Sequence, residues 1–260
     1  MAETQSQQRS LRILLLNPNS STSMTNGMAE AARKLSLSDS VEISTYTAPS
    51  SVPGSIDGQK DIDDSAKAVL DDAALAKDLE SDKYDAVLVA CFSVHPLVSQ
   101  LSKYQHLAVT GIFEASITTS LSLTPAPLGD EKWAIVTTGK FWEDHLADGV
   151  KAFLGQSSTT DNSNFAGVFS TGLLAGDFHS ISAQEIRAKL EAATSKIFAS
   201  GNVSRVVLGC GGMAGLEDAI RTTAIAVYGK AKGEQVYIVD GVKAGILQLE
   251  QTIRSKRAFR

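Results

Sequence analysis

The chain has 260 residues, of which 43% are hydrophobic, enough apolar material for one large core or two ordinary ones, and its formal net charge is −5. That acidity disfavours nucleic acid or an anionic membrane as partner; no apolar run reaches the roughly 18 to 20 residues that cross a bilayer, and the opening MAETQSQQRS lacks the apolar core of a signal. A cytoplasmic protein with a small-molecule partner is expected, its two cysteines free thiols.

Residues 1–10 are polar and without pattern, a disordered tail. Residues 11–16, LRILLL, read as a buried strand that runs into NPNSSTSMTNGM. Pro18 cannot continue a central strand, and the Ser and Thr that follow are N-cap candidates for a helix over 22–36 with Met24, Met28, Ala31, Ala32 and Leu35 on its apolar face. Asn17 sits at the strand's polar exit, where it either braces the loop or contacts a ligand. A second strand, VEISTYT at 41–47, leads into APSSVPGSIDG at 48–58, a long loop of the kind that is often functional. Residues 61–81 read as one long helix whose Asp63, Asp64, Asp71 and Asp72 form a solvated face.

Next comes DAVLVACFSVHPL, residues 85–97. Its uncharged run 86–90 fits a strand buried on both faces of a parallel sheet, and Cys91 then falls at the carboxyl edge, where open α/β sheets bind ligands. A helix over 96–103 and a strand over 106–112 follow, with Glu114 just beyond as a helix-start carboxylate or a catalytic base. TPAPLGDE at 124–131 marks a break. The pattern then restarts: a strand at 132–138, a helix at 141–154, a surface loop at 156–164, a strand at 165–169, and a helix at 182–200 opened by Ser182 and Glu185 as a capping box. SRVVLGCGGMAG at 204–215 is a second valine-rich run ending in a cysteine, Cys210. A helix over 216–230, a strand over 235–239, a helix over 242–253 and an exposed basic tail close the chain.

The two halves therefore share one order of elements, and Cys91 lies 78 residues after Ile13 as Cys210 lies 75 after Ile135. The expected architecture is α/β: two similar open parallel sheets related by a pseudo-twofold axis, carboxyl edges facing across a cleft with one thiol on each side. A carbon acid held between two thiols loses its proton to one and regains one from the other on the opposite face, which inverts the stereocentre. Backbone N–H groups of the turns after each cysteine are expected to lower the thiol pKa. Those at Phe92, Ser93, Gly211 and Gly212, with the hydroxyls of Ser93 and Thr138, are placed to receive an enolate oxygen. His95 either opens a helix or tunes Cys91. It is the only other zinc ligand near a cysteine in sequence, so no metal is expected. GCGGMAG lacks the acidic partner of a dinucleotide fingerprint, so no cofactor is expected.

ILLLNPNSSTSMT at 13–25, DAVLVACFSVHPL, GIFEAS at 111–116, AIVTTGKF at 134–141 and VVLGCGGMAGL at 206–216 resemble the signatures of the cofactor-independent aspartate/glutamate racemase superfamily and, within it, the hydantoin and allantoin racemases. The resemblance implies that Cys91 and Cys210 are acid and base, and that Asn17, Thr138 and the residues after each cysteine line the pocket. It also implies that the last strand and helix return to the first domain, giving residues 11–120 plus 222–260 for one domain and 121–221 for the other. Bacterial hydantoin racemases commonly read CFGDPGL where this chain reads CFSVHPL, closer to a fungal branch. The expected activity is racemisation of a cyclic ureide, allantoin or a 5-substituted hydantoin. The alternatives are a two-cysteine isomerase of the maleate isomerase type and a non-catalytic ureide-binding regulator; the sequence leaves homo-oligomerisation open.

Overall fold

The computed structural model describes residues 9–35, 41–124, 129–157 and 164–260. In the first half, β1 (Leu11–Asn17), α1 (Thr22–Arg33), β2 (Val41–Thr47), α2 (Gln59–Leu70), α3 (Ala73–Glu80), β3 (Ala86–Val89), α4 (Pro96–Leu101), β4 (Ala108–Gly111) and α5 (Ile112–Ser122) follow one another. Their four strands form a parallel sheet in the order β2-β1-β3-β4. The second half holds β5 (Lys132–Thr137), α6 (Phe141–Phe153), β6 (Phe165–Ser170), a 3-10 turn (Ala175–His179), α7 (Ala183–Ala199), β7 (Val203–Leu208), a second 3-10 turn (Gly211–Met213), α8 (Glu217–Tyr228), α9 (Lys230–Gly233), β8 (Tyr237–Asp240) and α10 (Gly241–Ala258). Its sheet is also parallel and runs β6-β5-β7-β8, the same order. Two similar open parallel sheets, each flanked by helices, are thus the fold expected from the repeat.

Central strands are buried on both faces, as their unbroken apolar runs require: every residue of β3 is covered, and β1 has only Arg12 partly open. The largest apolar cluster does not stop at a domain boundary. It joins Ile13, Leu15 and Leu88 of the first sheet to Trp133, Ile135 and Val207 of the second through Phe113 of α5 and Trp142 of α6. The two halves are therefore packed through a shared core.

Four expectations change. The long helix of 61–81 is two helices, because Asp72 is extended (ψ 98) and its Oδ1 accepts the amides of Ala74 and Leu75 at 3.0 Å, capping a new start. Order begins before Leu11, since Arg9 is held to Asp85 at 2.6 Å; residues 1–8 of the expected tail lie outside the described residues, as do 125–128 of the expected break and 158–163 of the expected surface loop. The basic end is exposed at Arg254 and Arg257, as expected, but it is helical, forming the last turns of α10, where Arg254 pairs with Glu250 at 2.8 Å and Lys256 donates to the Leu107 carbonyl at 3.1 Å.

Finally, the return to the first domain at residue 222 is not what the strands do. β8 pairs with β7 from Arg205↔Tyr237 to Leu208↔Asp240, so the last strand completes the second sheet. Only α10 crosses back, burying Val242, Ile246, Leu249 and Ile253 in the core that holds Leu88 and Ala108. A Cβ at Gly245 would sit 2.8 Å from Leu88 Cδ2, which is how closely this helix lies on β3. Among the described residues no helix is long and apolar enough to cross a membrane.

Candidate active site

Both cysteines stand two residues beyond the last residue of a central strand, Cys91 after β3 and Cys210 after β7. They meet at one cleft lined by Ala90, Cys91 and Phe92 from the first domain and by Thr138, Trp142 and Gly209–Gly212 from the second. Asn19, Met24, Met28, Ile56 and Ala175 close its ends. The cleft is narrow, leaving about 30 Å³ for the centres of water-sized molecules, room for a few waters, and both cysteines stay partly exposed. Gly211 lets the two domains approach there, since a Cβ would fall 2.7 Å from Met28 Sδ.

Each sulfur accepts one short-range hydrogen bond at 3.3 Å, Cys91 Sγ from the Ser93 hydroxyl and Cys210 Sγ from the Gly212 amide. These bonds do not lower the thiol pKa overall, contrary to the expectation from the helix starts. Burial pushes the Cys91 thiol up to about 12, and the charges of Cys210, Glu114 and Asp57 add to it. Burial likewise pushes Cys210 up to about 11, with Asp57 adding and the amides of Gly212 and Met213 opposing. The physical reason is that no full helix begins at either sulfur: α4 starts only at Pro96, and Cys210 caps a three-residue 3-10 turn. Desolvation of a thiolate outweighs one or two amide dipoles.

Of the residues expected at the site, Cys91, Cys210, Phe92, Thr138, Gly211 and Gly212 are brought together on the cleft. Ser93 lies behind it, 1% exposed, with its amide donating to the Cys91 carbonyl at 3.0 Å and its hydroxyl to the sulfur. The Ser93 and Gly212 amides are engaged, whereas no partner takes the amides of Phe92 and Gly211 or the Thr138 hydroxyl among the described residues. Asn17 is fully buried and braces its loop: Nδ2 donates to Asn19 Oδ1 at 2.8 Å and to Thr25 Oγ1 at 3.0 Å, while Oδ1 accepts the Asn19 amide. The asparagine that reaches the cleft is Asn19.

His95 faces away from Cys91. Its Nδ1 accepts the Leu97 amide at 3.3 Å, capping α4, and its Nε2 lies 3.2 Å from the Ser65 hydroxyl of α2. Glu114, in the first turn of α5, is a buried carboxyl whose Oε2 has no hydrogen-bond partner among the described residues. Burial pushes it up to about 7. It does not line the cleft, and it reaches Cys91 only through its charge.

The Asp/Glu/hydantoin racemase family matches this chain over residues 13–249. The chain belongs to that family. The enzyme is an isomerase of the racemase class. It is 33% identical to an uncharacterized Schizosaccharomyces pombe protein over 94% of this chain and 92% of that one, and 32% identical to Protein DCG1 of Saccharomyces cerevisiae over 82% and 86%. In structure it is similar to the allantoin racemase of Pseudomonas fluorescens, with a TM-score of 0.75 and 26% identity over 95% of this chain and 92% of that chain.

Besides Asn19, several residues of the enzyme's cleft escaped the sequence reading. Trp142 and Met28 looked like core residues of their helices and are also cleft walls. Ile56 belongs to the 48–58 loop, whose length was the only signal that it reaches a site, and its neighbour Asp57 accepts the amide of the lining residue Ala175. Ala175 sits in a segment that carried no signal at all.

Proposed function

We propose that the enzyme racemises a cyclic ureide, allantoin or a 5-substituted hydantoin, by proton transfer between Cys91 and Cys210 without a cofactor. The observation that carries this reading is the lining itself. Two thiols, one from each domain, share a narrow cleft with no cationic side chain among its described lining residues. An uncharged ring enters such a cleft at lower cost than an α-amino dicarboxylate or maleate, whose charges would be desolvated without a counter-ion. The likeness to the Pseudomonas fluorescens allantoin racemase supports the same substrate class.

In the proposed reaction one cysteine is a thiolate and the other a thiol. The thiolate takes the proton from the ring carbon alpha to the carbonyl, and the electron pair moves onto the carbonyl oxygen as an enolate. The amides of Phe92 and Gly211 and the Thr138 hydroxyl are the candidates to bind that oxygen. The opposite thiol then returns a proton to the other face and is left as the thiolate. A thiol held near pKa 11 or 12 is rarely ionised at neutral pH but is a strong base once it is, which suits a weakly acidic carbon.

The test follows one enantiomer in D2O by circular dichroism and by mass. Loss of rotation with incorporation of one solvent deuterium at the stereocentre is expected, and dialysis against a chelator should leave the rate unchanged. Cys91→Ser and Cys210→Ser should each lower racemisation by on the order of 10²-fold or more. Rotation that persists without exchange for every ureide tried would sink the reading.

A further inference from the structure

The loop between β2 and α2, residues 48–58, reaches across the mouth of the cleft to a turn of the second domain. It is tied at its base to the start of α1: the Ser20 hydroxyl donates to the Val52 carbonyl at 2.8 Å and the Ser20 amide to Pro53 at 3.1 Å. At its far end the Asp57 amide donates to Asp61 Oδ2 at 3.0 Å, which fixes the turn ahead of α2. Between these anchors Ile56 faces the cleft, and Asp57 Oδ1 accepts the amide of Ala175 at 3.2 Å. Ala175 is the first residue of the 3-10 turn Ala175–His179, so its N–H has no acceptor within that turn and is free for a partner from outside. Ala175 also lines the cleft.

Asp57 acts on both reactive sulfurs, whereas Glu114 of α5 acts on Cys91 alone. The other acidic groups around it are Asp61, which holds its amide, and Asp177, which is spent on the Leu174 amide at 2.8 Å. Among the described residues no lysine or arginine lines the cleft to offset these charges.

We propose that Asp57 is a positioning and specificity-determining residue: accepting the Ala175 amide latches the narrow cleft, and the same contact sets a negative charge beside both thiols, so closure favours an uncharged, N–H-donating ring over a carboxylate-bearing one. This rests on the racemase reading above and deepens it by assigning substrate charge to one residue. Moving a carboxylate toward the two sulfurs works against a third negative group in the same low-dielectric space. A ring N–H makes no such demand.

Two full-length variants separate the charge from the latch. Asp57→Asn keeps an oxygen for the Ala175 amide and removes the charge; Asp57→Ala removes both. Iodoacetamide alkylation of each cysteine, followed by peptide mass spectrometry across pH, reads the thiols directly and needs no turnover. In Asp57→Asn both cysteines are expected to react about tenfold faster at pH 8, which corresponds to a profile moved about one pH unit lower. Glu114→Gln should move Cys91 only. Profiles unchanged in Asp57→Asn, or moved for a single cysteine, would overturn the charge role. In Asp57→Ala the limiting rate at high pH should exceed that of Asp57→Asn several-fold because the cleft stands open; equal limiting rates would overturn the latch. For specificity, the ratio of kcat/KM for 5-methylhydantoin to that for hydantoin-5-acetate should fall about tenfold in Asp57→Asn, and an unchanged ratio would overturn that part. If wild-type protein turns over neither these hydantoins nor allantoin, the racemase reading fails while the alkylation profiles still decide the role of Asp57.

Discussion

A hydrogen bond from the Leu97 amide obliges His95 Nδ1 to be an acceptor, so the ring proton is assigned to Nε2, where it points at the Ser65 hydroxyl; that hydroxyl in turn donates to the Ile62 carbonyl at 2.8 Å. Burial pushes this imidazole down to about 4, with the charge of Asp63 opposing, so His95 stays neutral in the fold. A chain that binds the proton more readily when unfolded loses stability as acid is added. The contribution is full above the ordinary imidazole value near 6.5 and is lost as pH falls from there to about 4. Urea midpoints should therefore drop between pH 6.5 and pH 4 more steeply in the wild type than in His95→Asn, which keeps a capping oxygen but cannot titrate; equal slopes would show that His95 is not the group responsible. At this scale the two cysteines were readable in advance because each ends a matched apolar run. The role of His95 was not, since its partner Ser65 lies on a helix 30 residues earlier and nothing local selects an N-cap over a base. Asp57 was hidden for the same reason, its partner amide lying 118 residues downstream.

Among the elements, the boundary between α2 and α3 turns on Asp72. It caps α3 through two amides, and it also accepts the Tyr46 hydroxyl at 2.9 Å, tying the cap to β2. Burial together with that carboxylate pushes the Tyr46 hydroxyl well above its ordinary range. Asp72→Ala should cost about 1 to 2 kcal/mol in urea unfolding, the usual worth of an N-cap with some of the lost tyrosine bond added. A cost below a few tenths would mean that α3 is held by packing of Leu75 and Leu79 alone. The alanines and leucines run on through residues 70–75, so hydrophobic spacing gives one helix there. Only the backbone angle at Asp72 divides it, and a lone aspartate inside an acidic stretch is a weak sign of that. The strands were easier to read because six of the eight carry an unbroken or alternating apolar run bounded by polar turns, and that signal is local.

For the whole molecule, the departure from a clean tandem repeat lies in β8 and α10. β8 completes the second sheet while α10 covers β3, β4 and α5 of the first. Sequence pattern gave a helix over 242–253 without saying which sheet it meets, and the resemblance to the racemases assigned that helix to the first domain, where it packs, but carried β8 there with it. Two covalent strands now join the domains, one through the segment after α5 and one at Asp240–Gly241. Asp240 anchors the second crossing by accepting the amides of Val242 and Lys243 at 2.8 and 2.9 Å.

A cut between the halves would therefore not yield two foldable pieces. A fragment ending at Thr124 would bare the face of Leu88 and Ala108 that α10 shields, and its complement would carry Val242, Ile246 and Leu249 on a helix with nothing to cover them. Expressed singly, both fragments should be insoluble or bind hydrophobic dyes; expressed together, they should associate and recover thiol protection against alkylation. A soluble, cooperatively melting fragment 9–124 would show that α10 is an ornament of the first domain. The interlock otherwise makes the enzyme a single cooperative unit despite its repeated pattern.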